Sequence, residues 1–157
     1  MANPSARLEQ IAGILSTLPT QYHRLLLIVG PIGSGKTPIL KALCQQQHVP
    51  YLNVNLALSQ RLLDLTDKER PLRVRRLLAD VIDEQAADII ALDNLELLFD
   101  PTLHQDPLVC LQALSRNRTL VAACGGNYEG GVLTSPEPGP PAYRRYDRPE
   151  ALIVTVP

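Results

Sequence analysis

The sequence predicts an α/β fold, a three-layer α-β-α arrangement around a mostly parallel five-stranded sheet. Five short segments rich in apolar residues have the composition of strands that are buried on both faces. Segments with apolar residues three and four positions apart, the period of a helix, separate these strands. Strands that alternate with helices are typical of a parallel sheet covered on both sides. We therefore expect a single domain over residues 1–157.

The elements can be placed in order along the chain. Residues 1–19 contain an N-terminal helix that Pro19 ends, because Leu and Ile recur there every three or four residues. Asp106 suits an N-cap and Pro107 suits the first helical position, so another helix begins there. The strands are predicted at 25–29, 51–55, 89–93, 119–123 and 152–156, and the remaining helices at 37–47, 56–65 and 72–85.

The segment 128–150 differs in composition from the rest of the chain. It is rich in Gly and Pro, and five of the 14 prolines fall between residues 136 and 149. Because Pro lacks a backbone N–H, it interrupts both helices and central strands. We expect an irregular excursion here, before the closing strand.

Composition argues against several classes of protein. The net charge of −1 gives no overall positive field for nucleic acid, and no apolar run reaches the roughly 18 residues that span a bilayer. The N-terminus lacks a signal-peptide pattern, so we expect a cytoplasmic protein. Cys44, Cys110 and Cys124 show no C-x-x-C spacing, which argues against a zinc site or a disulfide framework.

The segment after the first strand is a phosphate-binding loop. It matches the pattern G-x-x-x-x-G-K-[ST] in full, between a predicted strand and a predicted helix. Glycines let backbone amides approach an anion closely, and the start of the helix adds partial positive charge. The sequence therefore predicts a P-loop NTPase with ATP and Mg²⁺ as cofactors. The predicted binding residues are Gly30, Pro31, Ile32, Gly33, Ser34, Gly35, Lys36, Thr37 and Pro38.

Two side chains are expected to hold the metal. Lys36 would reach the outer phosphates, and the hydroxyl of Thr37 would ligate Mg²⁺. Asp93 ends a strand after four apolar residues, and a carboxylate there points into the crevice where ligands of open α/β sheets bind. Thr37 and Asp93 are therefore the predicted metal ligands.

Hydrolysis also needs a group that orients or deprotonates water. Many P-loop ATPases carry Glu directly after the metal-binding Asp, but this chain has Asn94 there, and its nearest following carboxylate is Glu96. Three interpretations stay open: Glu96 substitutes, Asn94 positions water and turnover is slow, or the chain binds ATP without efficient hydrolysis. We favour slow hydrolysis.

Other polar residues are candidates for catalytic roles at the phosphates. Asn127 follows the fourth strand and could sense the γ-phosphate. Two arginine pairs could complete the site of a neighbouring subunit, because Arg stays charged and binds phosphate through two N–H groups. They are Arg116 with Arg118, before the fourth strand, and Arg144 with Arg145, before the closing strand. For each arginine an ordinary solvated side chain is the alternative.

A separate basic cluster lies near the start of the helix predicted at 72–85. Its members could contact DNA or an acidic partner. Acidic residues lie among them and no aromatic residue is interleaved, which favours a solvated face. The cluster includes Arg70, Arg73, Arg75 and Arg76.

The order of elements resembles the core of the AAA+ ATPases. The shared features are the phosphate loop, the strand that ends in Asp, the strand with a polar end and the closing strand. One departure is that the chain ends at the closing strand, so we expect an AAA+-like core without the helical lid. A site without a lid is half open, and we expect a second copy or a larger partner to cover it.

Several longer segments resemble the BrxF family, small P-loop proteins of type III BREX phage-defence systems. They are NVNL at 53–56, LDNLE at 92–96, LFDP at 98–101, QDPL at 105–108, LSRNRT at 114–119 and YRRY at 143–146. The resemblance implies that Asp followed by Asn is a family trait. It also implies work beside a large BREX ATPase and a methyltransferase in restricting phage DNA.

Two other functions fit the motifs. A nucleotide-gated adaptor would recruit a partner in its ATP state with little hydrolysis of its own, and Asn94 keeps this reading open. A small P-loop kinase would need a mobile lid that carries Arg, and the proline-rich segment 130–149 would make a stiff one.

Overall fold

The computed structural model describes residues 4–135 and 144–157. The helices are α1 (Pro4–Thr17), α2 (Lys36–Gln47), α3 (Val54–Leu62), α4 (Glu69–Asp83) and α5 (Pro107–Leu114), and the strands are β1 (Leu25–Gly30), β2 (Tyr51–Asn53), β3 (Ile89–Asp93), β4 (Thr119–Gly125), β5 (Asn127–Glu129), β6 (Val132–Ser135), β7 (Arg144–Asp147) and β8 (Leu152–Thr155). Short 3₁₀ helices cover Leu18–Thr20, Glu96–Phe99 and Pro101–Leu103. Within the described residues, no helix is both long and apolar enough to cross a membrane.

The main sheet has five parallel strands in the order β2-β3-β4-β1-β8. Its central region includes β1, which is buried along its whole length. Leu25, Leu27 and Val29 face a core formed with α3, α4 and α5, whereas Leu26 and Ile28 face a core formed with α1 and α2. Burial of one such side chain contributes about 1.5–3 kcal/mol. The predicted three-layer fold is confirmed, and β1 is anchored from both sides.

The register of the strands brings the candidate site residues to one edge of the sheet. Gly30, at the end of β1, pairs with Gly125 at the end of β4. Asp93, at the end of β3, pairs with Asn53 at the end of β2. The phosphate loop and Asp93 therefore share the edge formed by the carboxyl ends of the strands, where ligands of open α/β sheets bind.

Strand β2 is shorter than the predicted 51–55, because a helix cap interrupts it. Its last residue, Asn53, accepts a hydrogen bond of 3.0 Å from the amide of Leu56, and α3 begins between them. The predicted cap of α5 is confirmed, since Asp106 accepts from an amide of the first helical turn and Pro107 follows it.

The excursion before the closing strand is not irregular in its described part, and that prediction is wrong. Strands β5, β6 and β7 form a second, antiparallel sheet. Gly130 and Gly131 both have positive φ and make the two-residue turn between β5 and β6, a geometry that suits the twist of a hairpin. Leu133 of β6 is buried in the core beside α5. Most of the prolines on which the prediction rested lie at 136–143, outside the described residues.

Candidate nucleotide-binding site

The phosphate loop joins the end of β1 to the start of α2. Gly33 and Gly35 have φ angles of 81° and 92°, in the left-handed region that favours glycine. A Cβ on Gly30 would lie 2.4 Å from the carbonyl oxygen of Val156 and 2.6 Å from Oγ of Ser34, so no larger residue fits there. Helix α2 begins with Gly35 as N-cap and without a side-chain cap, which leaves its first turn to accept an anion.

The ammonium group of Lys36 lies against the loop. Its Nζ donates hydrogen bonds of 2.8 Å to the carbonyl oxygens of both Gly30 and Pro31. A third contact, to Oγ of Ser34, is 3.4 Å long. Pro38 lies in the first turn of α2, as predicted, where its missing N–H disrupts no intrahelical bond.

The two predicted metal ligands are in contact. Thr37 Oγ1 donates a hydrogen bond of 2.7 Å to Asp93 Oδ2, across 56 positions of sequence. Asp93 is only 4% exposed, and the amide of Asn94 donates to its Oδ1 at 2.9 Å. A carboxylate and a hydroxyl in contact are the hard oxygen donors that Mg²⁺ prefers. The residues present therefore fit the metal.

Tyr51 is a member of the site that the sequence did not reveal. Its hydroxyl donates to Asp93 Oδ2 at 2.6 Å, so this oxygen accepts from both Tyr51 and Thr37. Burial raises the pKa of Tyr51 above its ordinary value, and the hydrogen bond to Asp93 raises it further, so the phenol stays protonated. Aromatic residues are common in strands, and nothing in the local pattern distinguishes this one.

The two candidates for handling water, Asn94 and Glu96, are held by Asn55. Asn94 has a φ of 57°, which Asn tolerates better than most residues, and its carbonyl oxygen accepts from the amide of Asn55 at 2.9 Å. The side chain of Asn55 donates to Glu96 Oε2 at 2.9 Å and accepts from the amide of Leu97 at 2.8 Å. Asn55 was not predicted as a site residue, although it lies in the NVNL segment.

Glu96 stands between two cavities. One is an open cleft of about 690 Å³ on the side of α3, lined also by Asn55, Asn94 and Asp100. The other, of about 50 Å³, lies toward the phosphate loop and is lined also by Ile32. The carboxylate is thus placed between the loop and an open surface.

The end of β4 borders the smaller cavity through Cys124. Burial raises the pKa of this thiol to about 12, with Lys36 acting in the opposite direction and Glu96 adding to the rise. Ser135 of β6 lines the same cavity and donates to the carbonyl oxygen of Gly125 at 2.6 Å. The antiparallel sheet is in this way attached to the edge that carries the site.

Asn127, the predicted γ-phosphate sensor, begins β5. Its side chain is exposed, and its carbonyl oxygen accepts from Oγ1 of Thr134 at 3.4 Å. A role at the phosphates stays a prediction.

The first arginine pair lies at the amino end of β4, at the sheet edge opposite the phosphate loop. Arg118 is 3.1 Å from Asp83 and donates to the carbonyl oxygens of Ile82 and Ala87. The guanidinium of Arg116 lies 4.3 Å from the ring centre of Tyr22. These contacts are within the chain and away from its own loop.

The second arginine pair is in β7, at the edge that carries the loop. Arg144 pairs with Ser135 in the antiparallel sheet, and its side chain donates to the carbonyl oxygen of Gln105 at 2.8 Å. The side chain of Arg145 is 63% exposed and 3.3 Å from Asp147. Of the four arginines, Arg145 combines exposure with nearness to the loop edge.

The basic cluster lies along α4, and two of its arginines already have partners within the chain. Arg70 donates to the carbonyl oxygen of Leu62 at 3.1 Å, and Arg76 is 3.2 Å from Asp80. Arg73 and Arg75 are exposed. A contact with DNA stays a prediction.

Several solved structures share the fold of this chain. PCH-2 of C. elegans is 18% identical, with a TM-score of 0.54 over 98% of this chain and 42% of that one. A DNA replication initiation factor is 15% identical, with a TM-score of 0.53 over 99% of this chain and 47% of that one. AMPPCP-bound DnaA from Aquifex aeolicus is 12% identical, with a TM-score of 0.50 over 95% of this chain and 44% of that one. The chain thus spans less than half the length of these structures.

The family of the chain follows from its sequence. A search of curated proteins finds no match. The family model that matches is that of the AAA proteins, the ATPase family associated with various cellular activities, and it covers residues 26–109. This range holds the phosphate loop, Asp93 and Glu96, and it is more than half of the chain. The chain therefore belongs to the AAA family and carries its ATPase-like nucleotide-binding fold.

Proposed function

We propose that this protein binds ATP with Mg²⁺, hydrolyses it slowly, and assembles with itself or with a larger partner in a BREX antiphage system. The observation that carries the nucleotide part is the 2.7 Å contact between Thr37 and Asp93, which joins the phosphate loop to a buried carboxylate. The BREX part is supported by the resemblance of the longer segments to the BrxF family.

The loop residues would bind the phosphates. Lys36 Nζ would exchange its bonds to the carbonyl oxygens of Gly30 and Pro31 for bonds to phosphate oxygens, which are stronger because both partners are charged. Thr37 and Asp93 would hold Mg²⁺, which supplies positive charge to the phosphates when bound. The amides of the loop and of α2 would complete the cradle.

Slow hydrolysis is supported by the geometry around Glu96. Its carboxylate is the nearest base to the small cavity beside the loop, but its Oε2 is engaged by the side chain of Asn55. This bond ties the carboxylate to α3, so the positions in which its other oxygen can meet a water molecule are restricted. Asn94 has its backbone fixed by the amide of Asn55, and its amide side chain cannot take up a proton at neutral pH.

Assembly is proposed from the position of Arg145. Arg145 is exposed at the edge of the sheet that carries the loop, and a guanidinium there is able to reach the phosphates held by a second copy. ATP, which needs both surfaces, would then drive homo-oligomerisation or docking on a larger BREX ATPase. Arg73 and Arg75 are kept as candidates for contact with DNA.

The test is size-exclusion chromatography with light scattering, in the presence of ATP and Mg²⁺, with phosphate release assayed in the same fractions. Lys36→Ala removes the loop ammonium, and Lys68→Ala is the matched control, because Lys68 is an exposed lysine before α4. We expect a larger species that releases phosphate in the wild type and in Lys68→Ala, and neither in Lys36→Ala. A monomer without phosphate release at every ATP concentration, with or without the partner, would contradict the proposal.

A nucleotide-gated adaptor is the second candidate, favoured by the bond between Asn55 and Glu96. In that case ATP binds and assembly follows, but phosphate release stays at the level of the Lys36→Ala variant. The same fractions therefore separate the two functions.

A further inference from the structure

Tyr51 and Thr37 share one oxygen of the predicted metal-binding carboxylate. Both hydroxyls donate to Asp93 Oδ2, at 2.6 Å and 2.7 Å, while the amide of Asn94 donates to Oδ1. Each oxygen of the buried carboxylate is thus fixed by at least one donor. Because the hydroxyl proton of Thr37 is directed at Asp93, the lone pairs of its oxygen are left for another partner.

The position of Tyr51 follows from the strand register and from packing. Tyr51 pairs with Ala91 in β3, and Asp93 lies two residues further along that strand, on the same face of the sheet. The ring packs against the core formed with α1 and α2, and Lys41 Nζ lies 5.2 Å from its centre. The packed ring therefore fixes the position of the hydroxyl.

We propose that Tyr51 is a positioning residue for the metal site. It holds Oδ2 of Asp93 in the orientation that contacts Thr37, so that both oxygen donors are arranged before the metal binds. Partners that orient metal ligands in this way commonly change metal affinity by 10–100-fold when they are removed. The inference rests on the proposed binding of Mg²⁺ and ATP.

Tyr51→Phe removes the hydroxyl and keeps the ring. The matched control is Tyr146→Phe, because Tyr146 also donates to an aspartate, at 2.9 Å, but this is Asp106 at the N-cap of α5 and not a residue of the candidate site. The affinity for a fluorescent ATP analogue, N-methylanthraniloyl-ATP, is measured for each protein in EDTA and in saturating Mg²⁺. The dissociation constant in EDTA divided by the dissociation constant in Mg²⁺ measures the coupling between nucleotide and metal.

We expect Tyr51→Phe to reduce this ratio about tenfold, with the affinity in EDTA unchanged, and Tyr146→Phe to reduce neither. If the wild type binds the analogue and the ratio is unchanged in Tyr51→Phe, the positioning role is overturned. This includes the case in which affinity falls equally in EDTA and in Mg²⁺. A wild type that does not bind the analogue would instead overturn the proposed function, and this inference with it. Thermal unfolding of both variants checks that each one is folded.

Discussion

Asn55 Nδ2 donates a hydrogen bond of 2.9 Å to Glu96 Oε2, and Asn55 Oδ1 accepts from the amide of Leu97. One side chain at the start of α3 thus fixes both the carboxylate and the backbone of the short helix that follows β3. The amide of Asn55 also donates to the carbonyl oxygen of Asn94. The segment after Asp93 is consequently held by α3, and a displacement of α3 would move the carboxylate of Glu96.

Glu96→Gln tests whether this carboxylate handles the attacking water. The amide has nearly the same shape but cannot accept the proton, so we expect phosphate release to fall about 100-fold, the lower range for a lost general base. ATP affinity should stay within about twofold, since Glu96 is not among the predicted phosphate ligands. Glu129→Gln, on exposed β5, is the control. Equal turnover in Glu96→Gln and wild type would exclude Glu96 as the base.

Gly30→Ala tests the close packing of the loop against the closing strand. The added Cβ would meet the carbonyl oxygen of Val156 at 2.4 Å, so backbone must move, and such overpacking costs about 1–3 kcal/mol of the free energy of unfolding. Nucleotide binding should be lost as well. Gly13→Ala is the control, because Gly13 lies in α1 with nothing within 4 Å of an added Cβ. There we expect a gain of about 0.5–1 kcal/mol in a denaturant titration. A Gly30→Ala variant as stable as wild type would contradict the packing argument.

The sequence was sufficient for the sheet, the phosphate loop and the pairing of Thr37 with Asp93. These follow from local signals, a buried run with a glycine pattern and a strand that ends in Asp, and parallel strands place their ends together. Tyr51 and Asn55 were missed because their contacts lie 42 and 41 positions away and depend on the register of β2 against β3. No short-range pattern encodes that register.

The antiparallel sheet was missed for a different reason. The turn at Gly130 and Gly131 is a hairpin signal, but the segment that follows it is rich in Pro, which is typical of irregular structure. The prolines fall mainly between β6 and β7, where they interrupt no described strand. The composition of this segment therefore concealed three strands, two of which, β6 and β7, lie on either side of the proline-rich stretch.

Stability should fall at alkaline pH because of Cys124. Burial raises the pKa of this thiol from its ordinary 9.0 to about 12, so the folded state keeps a proton that the unfolded state releases. The stability that the buried, protonated thiol contributes is fully present below pH 9 and is lost as the pH rises toward 12. We expect the free energy of unfolding to decline over this range, and to decline less steeply in Cys124→Ala, by up to about 1.4 kcal/mol per pH unit. Tyr51 and Tyr146, whose pKa values are also raised, contribute equally to both proteins. Parallel curves for the two proteins would contradict the prediction.

Arg145→Ala tests whether an arginine acts on the site of a second copy. The side chain is exposed at the edge that carries the loop, so its loss should leave ATP affinity of the monomer unchanged and lower phosphate release by the assembled protein at least tenfold. Arg118→Ala is the contrast. That arginine is paired with Asp83 and bonded to two carbonyl oxygens, so its loss should lower stability by about 1–3 kcal/mol and affect turnover only through folding.

Mixing two inactive variants makes the test decisive. A Lys36→Ala subunit keeps Arg145 but has a defective loop, and an Arg145→Ala subunit keeps the loop but lacks the arginine. If the site is shared, a mixed pair brings an intact loop to an intact arginine at one of its two sites, and phosphate release should recover, up to about half of the wild-type level when all subunits are in mixed pairs. Arg145 acting within its own chain predicts no recovery at any ratio. Since each variant is its own control in the same assay, loss of folding cannot produce the expected gain.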